Sequence, residues 1–204
     1  MTVRLLMLNG SLRGTSGNTE ELLSLAASYV GGDVTVERIA LAEYEGSVEN
    51  LAARLAASDA FLFGTGVYWG SWGSPLQRFL EVMTSYELTP SFLGKPAAVV
   101  VNADSLGASD VAHRLQGVLN HFGCWSPPLA SVALTRVAAA VKGRAGFEDV
   151  FQVDDMRIAL ENLCRAARIP SPQWSAWSIA RTPSVSGAYP GVGPVLAGLP
   201  KSTL

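Results

Sequence analysis

Charge is scarce in this chain. Asp, Glu, Lys and Arg make up only 16% of its 204 residues, and the formal net charge is −2. That balance removes the electrostatic case for nucleic acid or an anionic membrane as a partner. Histidine is rarer still: His113 and His121 are the only two. Neither belongs to a convincing catalytic constellation, so both are read as surface or helix-end residues. The two cysteines, Cys124 and Cys164, lie far apart without metal-ligand spacing, which favours buried thiols over a disulfide. No apolar run approaches the roughly 18 residues of a membrane span. The N-terminus lacks the basic segment, apolar core and cleavage site of a signal peptide, and a cytoplasmic protein is expected. Walker and G-x-G-x-x-G loops are missing; Gly64-Thr65-Gly66 and Gly70-Ser71-Trp72-Gly73 match neither. No internal repeat and no second-domain boundary is found.

What is present is apolar residue in quantity, 49% of the chain, enough for one well-buried domain. The pattern alternates between strand and helix. Val3–Leu8 is an apolar run that leads into a polar, glycine-bearing loop. A helix with an Asn18/Glu21 capping box follows, ending near Gly31-Gly32. Val34–Ile39 is β-branched and predicts a second strand. Val48, Leu51, Leu55 and Ala56 recur at helical spacing. Ala60–Phe63 predicts a third strand buried on both faces. The next helix opens at Pro75 with Ser74 as its cap, and Leu76, Phe79, Leu80 and Met83 form its apolar face. Ala97–Val101 predicts a fourth strand. A helix over 109–122 follows, with Val111, Leu115, Val118, Leu119 and Phe122 inward and Gly123 at its C-terminal cap. Leu129–Leu134 predicts a fifth strand. Residues 136–146 read as either loop or short helix, and 154–167 as a last helix with Met156, Ile158, Leu160 and Leu163 apolar. Residues 1–169 therefore form the body. From Pro170 onward lie six of the eleven prolines, and no periodicity survives. Trp174, Trp177, Tyr189 and Leu196 would anchor this segment, 170–204, on the body or on a neighbouring subunit.

Five strands alternating with helices imply a parallel sheet covered on both faces. Right-handed crossovers bring every strand-to-helix loop to one edge. Three of those loops are rich in polar groups. The first, 9–19, joins the hydroxyls of Ser11, Thr15, Ser16 and Thr19 to the Arg13 guanidinium and the Asn18 amide at a helix N-terminus. A helix start collects anions, and this donor density suits a terminal phosphate with its three free oxygens. Pyrophosphate loops are instead dominated by glycine. The second loop, 64–75, carries Tyr68, Trp69 and Trp72, which serve either as packing or interface aromatics or as stacking platforms. The third runs from Asn102 to Gly107. In the strand order 2-1-3-4-5 these loops follow adjacent strands, with the switch point between the first and third. A mononucleotide site follows from that convergence. Arg78 and Arg114 are read as solvated helix faces.

Two motifs carry a family resemblance. Gly10-Ser11-Leu12-Arg13-Gly14-Thr15-Ser16-Gly17-Asn18-Thr19 is similar to the G-S-x-R-x-x-S-x-N-[ST] phosphate loop of the NADPH-dependent FMN reductases. Val67-Tyr68-Trp69-Gly70-Ser71 is similar to their [PE]-x-[YW]-x-G-S loop. Gly94–Val100 and Val118–Gly123 resemble the family more weakly, and the resemblance spans roughly residues 3–135. It implies a flavodoxin-like three-layer α/β sandwich with a five-stranded parallel sheet in the order 2-1-3-4-5. It also implies FMN as cofactor and NADPH or NADH as hydride donor. Position by position, Ser11, Arg13, Ser16, Asn18 and Thr19 would bind the phosphate. Val67, Tyr68, Trp69, Gly70 and Ser71 would line the isoalloxazine, and Asn102, Ala103, Asp104 and Ser105 would close its other side. The chain departs from the family at Gly66, where a proline is usual, which would loosen the second loop. The third loop carries Asp104 in place of paired glycines, and an acid near the pyrimidine edge would disfavour negative charge there.

The implied activity is an FMN-dependent oxidoreductase passing electrons from NAD(P)H to a flavin, quinone, azo or nitro acceptor. It would act as a homodimer or homotetramer, with Trp69, Trp72 and Tyr86 compatible with an interface. Because the flavin supplies the chemistry, no acid–base pair is required of the protein. Two alternatives stand beside it. A flavodoxin-type electron carrier would want a strongly acidic surface, and a net charge of −2 does not offer one. A binding or scaffold protein could keep the fold without turnover.

Overall fold

The computed structural model describes residues 2–142, 144, 151–176, 185–191 and 193. Five strands, β1 (Val3–Asn9), β2 (Val34–Ala40), β3 (Ala60–Gly66), β4 (Ala97–Ala103) and β5 (Ser131–Thr135), form one sheet in the order β2-β1-β3-β4-β5. Every pairing is parallel. Among the described residues six helices connect and cover them: α1 (Asn18–Ser28), α2 (Val48–Ala57), α3 (Ser74–Met83), α4 (Ala108–His121), α5 (Arg136–Val141) and α6 (Asp155–Ala166). This is the expected flavodoxin-like three-layer sandwich.

The two-residue period of the strands separates the core into two layers. Leu6, Leu8, Phe61, Phe63, Val99 and Val101 face α2, α3 and α4. Their neighbours Leu5, Met7, Leu62, Ala98, Val100 and Val132 face α1 and α6. On the first side Phe61, Phe63, Phe79, Phe92 and Phe122 form a chain of tilted and edge-on rings with centroids 5.0 to 6.3 Å apart. Such contacts add to plain burial because ring edges meet ring faces.

Several local expectations change. Gly17 caps α1, and Asn18 lies inside the helix, so no Asn18 capping box forms. Gly73 similarly displaces Ser74 as the cap of α3, which keeps Pro75 in its first turn. Ala52 takes the buried position in α2, while Ala56 is exposed. Ile158 is 49% exposed, so the α6 stripe runs through Met156, Ala159, Leu160 and Leu163. Leu129 also lies outside the core, with a left-handed φ of 60°, and β5 starts only at Ser131. The 136–146 stretch begins as the short helix α5. Both cysteines are free and buried.

Part of the C-terminal segment lies on the body. Ser171 and Trp174 sit against Gly94, at the edge where β4 begins. Residues 185–191 run beside the loop before α2. There Ser47 and Ala188 form an antiparallel bridge, and Val48 N–H donates to Gly187 O at 2.8 Å. Tyr189 N–H donates to Gly46 O at 3.0 Å. The Tyr189 ring is 7% exposed and meets Tyr44 edge-on, with centroids 5.4 Å apart. Trp177 and Leu196 lie outside the described residues.

Candidate functional site

Register brings the polar loops together. Asn9, the last residue of β1, pairs with Gly64, and Gly66 at the end of β3 pairs with Asn102 of β4. The three chains therefore leave the sheet side by side. Loops one and two then come closer than side chains would permit. A β-carbon on Gly73 would stand 2.3 Å from the Gly10 carbonyl oxygen, and one on Gly10 would stand 2.5 Å from Leu76 Cβ. Gly73 thus permits the contact with the backbone of loop one, and Gly10 the contact with Leu76 of α3.

The first loop is shaped largely by residues outside its motif. Asn9, 1% exposed, accepts from Ser11 N–H at 2.9 Å through Oδ1. Its Nδ2 donates to Gly14 O at 3.0 Å and to Glu20 Oε2 at 2.9 Å. Glu43, from the turn after β2, accepts from Thr15 N–H and Thr15 Oγ1, each at 2.9 Å. Arg38 lies 3.2 Å from Glu20 Oε1, so one of the two acids in the first turn of α1, Glu20 beside Glu21, is paired with it. Together these contacts hold the loop open around the start of α1. No sequence motif marks Asn9, Glu43 or Arg38 as site residues, because motif spacing says nothing about which neighbouring or distant polar side chain will buttress a loop.

A cleft of about 210 Å³ opens between the three loops. Its lining is Ser11, Arg13, Asn18, Thr19, Gly66, Val67, Tyr68, Asn102, Ala103 and Asp104. Nine predicted residues thus meet there, with Gly66 added. Five others do not line it. Ser16 is exposed and donates its hydroxyl to Arg13 O at 2.9 Å. Trp69, Gly70, Ser71 and Ser105 lie beyond the cleft wall. Trp69 is wholly exposed, at 105% of its reference area.

Asn102 joins the loops. Its Oδ1 accepts from Thr19 Oγ1 at 2.8 Å, and its carbonyl accepts from Val67 N–H at 2.9 Å. The Thr19 proton is thereby committed to Asn102. Ser11 Oγ accepts from Arg13 N–H at 3.1 Å and lies 3.5 Å from the Tyr68 hydroxyl. Asp104, 4.0 Å from Arg136, puts an exposed acid at the far end.

The second loop closes as a two-residue hairpin. Tyr68 N–H donates to Ser71 O at 2.8 Å, and Ser71 N–H returns to Tyr68 O at 3.0 Å. Trp69 and Gly70 at the tip have φ of +51° and +76°. Two left-handed residues make a turn whose twist matches a hairpin, but a tryptophan there costs about 1 kcal/mol. Arg114, read from sequence as a solvated residue, reaches this tip. Its Nη2 donates to Gly70 O at 2.5 Å, and its guanidinium carbon stands 5.5 Å from the centre of the Trp72 ring. Gly66, expected to loosen the loop, closes β3 with the Tyr68 ring 3.1 Å from where a β-carbon would stand.

The donor set fits a phosphate monoester. Ser11, Arg13 and Asn18 gather at the start of α1, an eleven-residue helix, where hydroxyl, guanidinium and helix dipole all favour a dianion. The cleft is smaller than the roughly 300–1,000 Å³ of a complete ligand pocket. Val67 and Tyr68 lie across it from the Ser11, Arg13 and Asn18 donors.

The NADPH-dependent FMN reductase family model matches residues 3–139, more than half of the chain. Comparison with curated protein sequences gives no match. Among solved structures, RosB with a bound 8-demethyl-8-formylriboflavin-5'-phosphate intermediate superposes with a TM-score of 0.65 at 15% identity, covering 82% of this chain and 79% of that one. FerB, an NAD(P)H:(acceptor) oxidoreductase from Paracoccus denitrificans, has a TM-score of 0.59 at 19% identity, covering 81% and 96%. An archaeal flavodoxin has a TM-score of 0.59 at 11% identity, covering 81% and 99%. At these identities the structures speak for the fold, and the family model for the lineage. The chain belongs to the NADPH-dependent FMN reductase family, a family of flavodoxin-like FMN-dependent oxidoreductases.

Proposed function

We propose that this protein binds FMN in the cleft between its three polar loops and transfers electrons from NADPH or NADH to a small flavin, quinone, azo or nitro acceptor. The observation that carries this reading is the convergence of Ser11, Arg13, Asn18, Val67, Tyr68 and Asn102 on one cleft at the start of α1. When bound, FMN supplies the redox chemistry, accepting two electrons from the nicotinamide and returning them to the acceptor.

The chain's own residues bind and orient. Arg13 and Ser11 hold the phosphate oxygens, and Asn18 adds an amide at the helix start. Thr19 serves through Asn102, whose position it fixes. Val67 and Tyr68 offer an apolar wall to the ring. Asp104, near Arg136 and on the cleft lining, would offer an acceptor to the ring's one N–H. The reading extends to a cytoplasmic location and to a homodimer or homotetramer, the self-association alone supported by the fully exposed Trp69 and the 84% exposed Leu106. Two apolar side chains so placed are candidates for cover by a second copy.

The test is a flavin titration followed by turnover. Arg13→Ala should weaken FMN binding by about 1.5–3 kcal/mol, the range for a hydrogen bond to a charged group, and leave riboflavin binding unchanged. Steady-state NAD(P)H oxidation with quinone or flavin acceptors should follow FMN loading. FMN uptake with negligible oxidation of either nicotinamide would favour the electron-carrier reading. No uptake at all would leave a binding or scaffold role and overturn the proposal.

A further inference from the structure

We infer that Arg114 of α4 is a positioning residue that fixes the second loop against the cleft; this rests on the cleft being the flavin site. The peptide unit between Gly70 and Ser71 is held at both ends. Its N–H, from Ser71, donates to Tyr68 O at 3.0 Å, and its carbonyl, from Gly70, accepts from Arg114 Nη2 at 2.5 Å. Glycine on one side of that unit would otherwise let it rotate at little cost. The neighbouring Trp69 is in a left-handed conformation that bulky side chains disfavour, so the tip has reason to open when the clamp is removed.

Arg114 is itself oriented from two sides. Asp110, one turn earlier on α4, lies 3.3 Å from Arg114 Nε, the favourable order for an acid and a base four apart. The Trp72 ring lies under the guanidinium at 5.5 Å, and Trp72 Nε1 donates to Gln77 Oε1 at 2.9 Å. A planar cation can use its edge and its face at once, which an ammonium cannot. The clamp therefore links α4, through the tip, to Val67 and Tyr68, the loop residues that line the cleft. Arg114 does not line it. Its action is on the wall, and should be felt by whatever lies on that wall and not by a group at the phosphate end.

The experiment compares wild type with Arg114→Ala and Arg114→Lys. In the FMN-free proteins, amide exchange at Ser71 should quicken at least tenfold in Arg114→Ala while the thermal midpoint stays within a degree. Flavin titrations should show FMN and riboflavin weakened by the same factor, about five- to twentyfold. Arg13→Ala, in contrast, should affect FMN alone. Arg114→Lys should fall between, since it can still donate to Gly70 but cannot stack on Trp72. Unchanged Ser71 exchange together with unchanged flavin affinities in Arg114→Ala would overturn the inference and leave the proposed function intact. Wild-type protein that takes up neither flavin would overturn that function, and this inference with it.

Discussion

Cys124 follows α4 and lies 1% exposed beneath the aromatic chain, its thiol 3.6 Å from Phe92 O. Burial pushes that thiol up to about 12, with the Lys95 ammonium acting slightly the other way. Its ionised form is the reactive one, so Cys124 should resist a thiol reagent at pH 8 until the protein unfolds. The shift also makes stability depend on pH. Between about pH 9 and 12 the unfolded chain loses this proton while the folded one keeps it, so stability falls as pH rises. Lys95 works in the opposite direction. Burial lowers its ammonium to about 8, so between about 8 and 10.5 the unfolded chain holds more protons and stability rises with pH. Denaturation midpoints across pH 9–12 should fall less steeply in Cys124→Ser than in wild type; parallel curves would sink the assignment. Burial of both cysteines was legible from their types and helical surroundings. The proximity of Lys95 was not, because 29 residues of chain separate two groups that meet only when β4 and the end of α4 pack.

Between elements, the close approach of loops one and two is the feature most exposed to a small change. Gly73→Ala puts a methyl 2.3 Å from the Gly10 carbonyl oxygen. Neither backbone can yield without moving β1's exit or the start of α3, so a loss of about 1–3 kcal/mol is expected, as for other overpacked sites. Flavin affinity should fall with it, because Ser11 and Tyr68 sit on the two loops being forced apart. A variant as stable as wild type in urea would show that the loops separate freely. The motif marked these glycines as loop residues, and the strand-to-helix alternation brought the loops to one edge. Spacing could not show that Gly10 and Gly73 touch, since that contact depends on how far α3 leans over β1.

In the molecule as a whole, residues 185–191 are stitched to the body beside the loop that also carries Glu43, the acid that holds Thr15. Tyr189 is the buried anchor of that segment, yet its hydroxyl has no hydrogen-bond partner among the described residues. Burial also raises the pKa of this phenol, with the Arg78 guanidinium acting the other way, consistent with a neutral group. Tyr189→Phe removes an unsatisfied polar atom and keeps the ring against Tyr44, so stability should rise by about 1 kcal/mol. Tyr189→Ala should instead lose about 3 kcal/mol, the cost of a deleted aromatic. It should also make the C-terminal segment more sensitive to protease. Thermal midpoints and limited proteolysis of both variants check this; a Phe variant less stable than wild type would mean that the hydroxyl is satisfied after all.

The alternation of strand and helix, the two-sided burial of the sheet and the gathering of polar loops at one edge are local or topological properties. Periods of two and 3.6 are written in consecutive residues, and handed crossovers leave little freedom once the alternation is known. Contacts between distant residues are another matter. Asn9 bracing Gly14 and Glu20, Glu43 holding Thr15, Arg114 clamping Gly70 and Tyr189 settling on Tyr44 all depend on side-chain geometry after packing. An arginine at the surface of an amphipathic helix looks the same in sequence whether it meets water or the carbonyl of a loop 44 residues away. That choice is made by where α4 comes to rest beside the second loop, and only the folded molecule contains it.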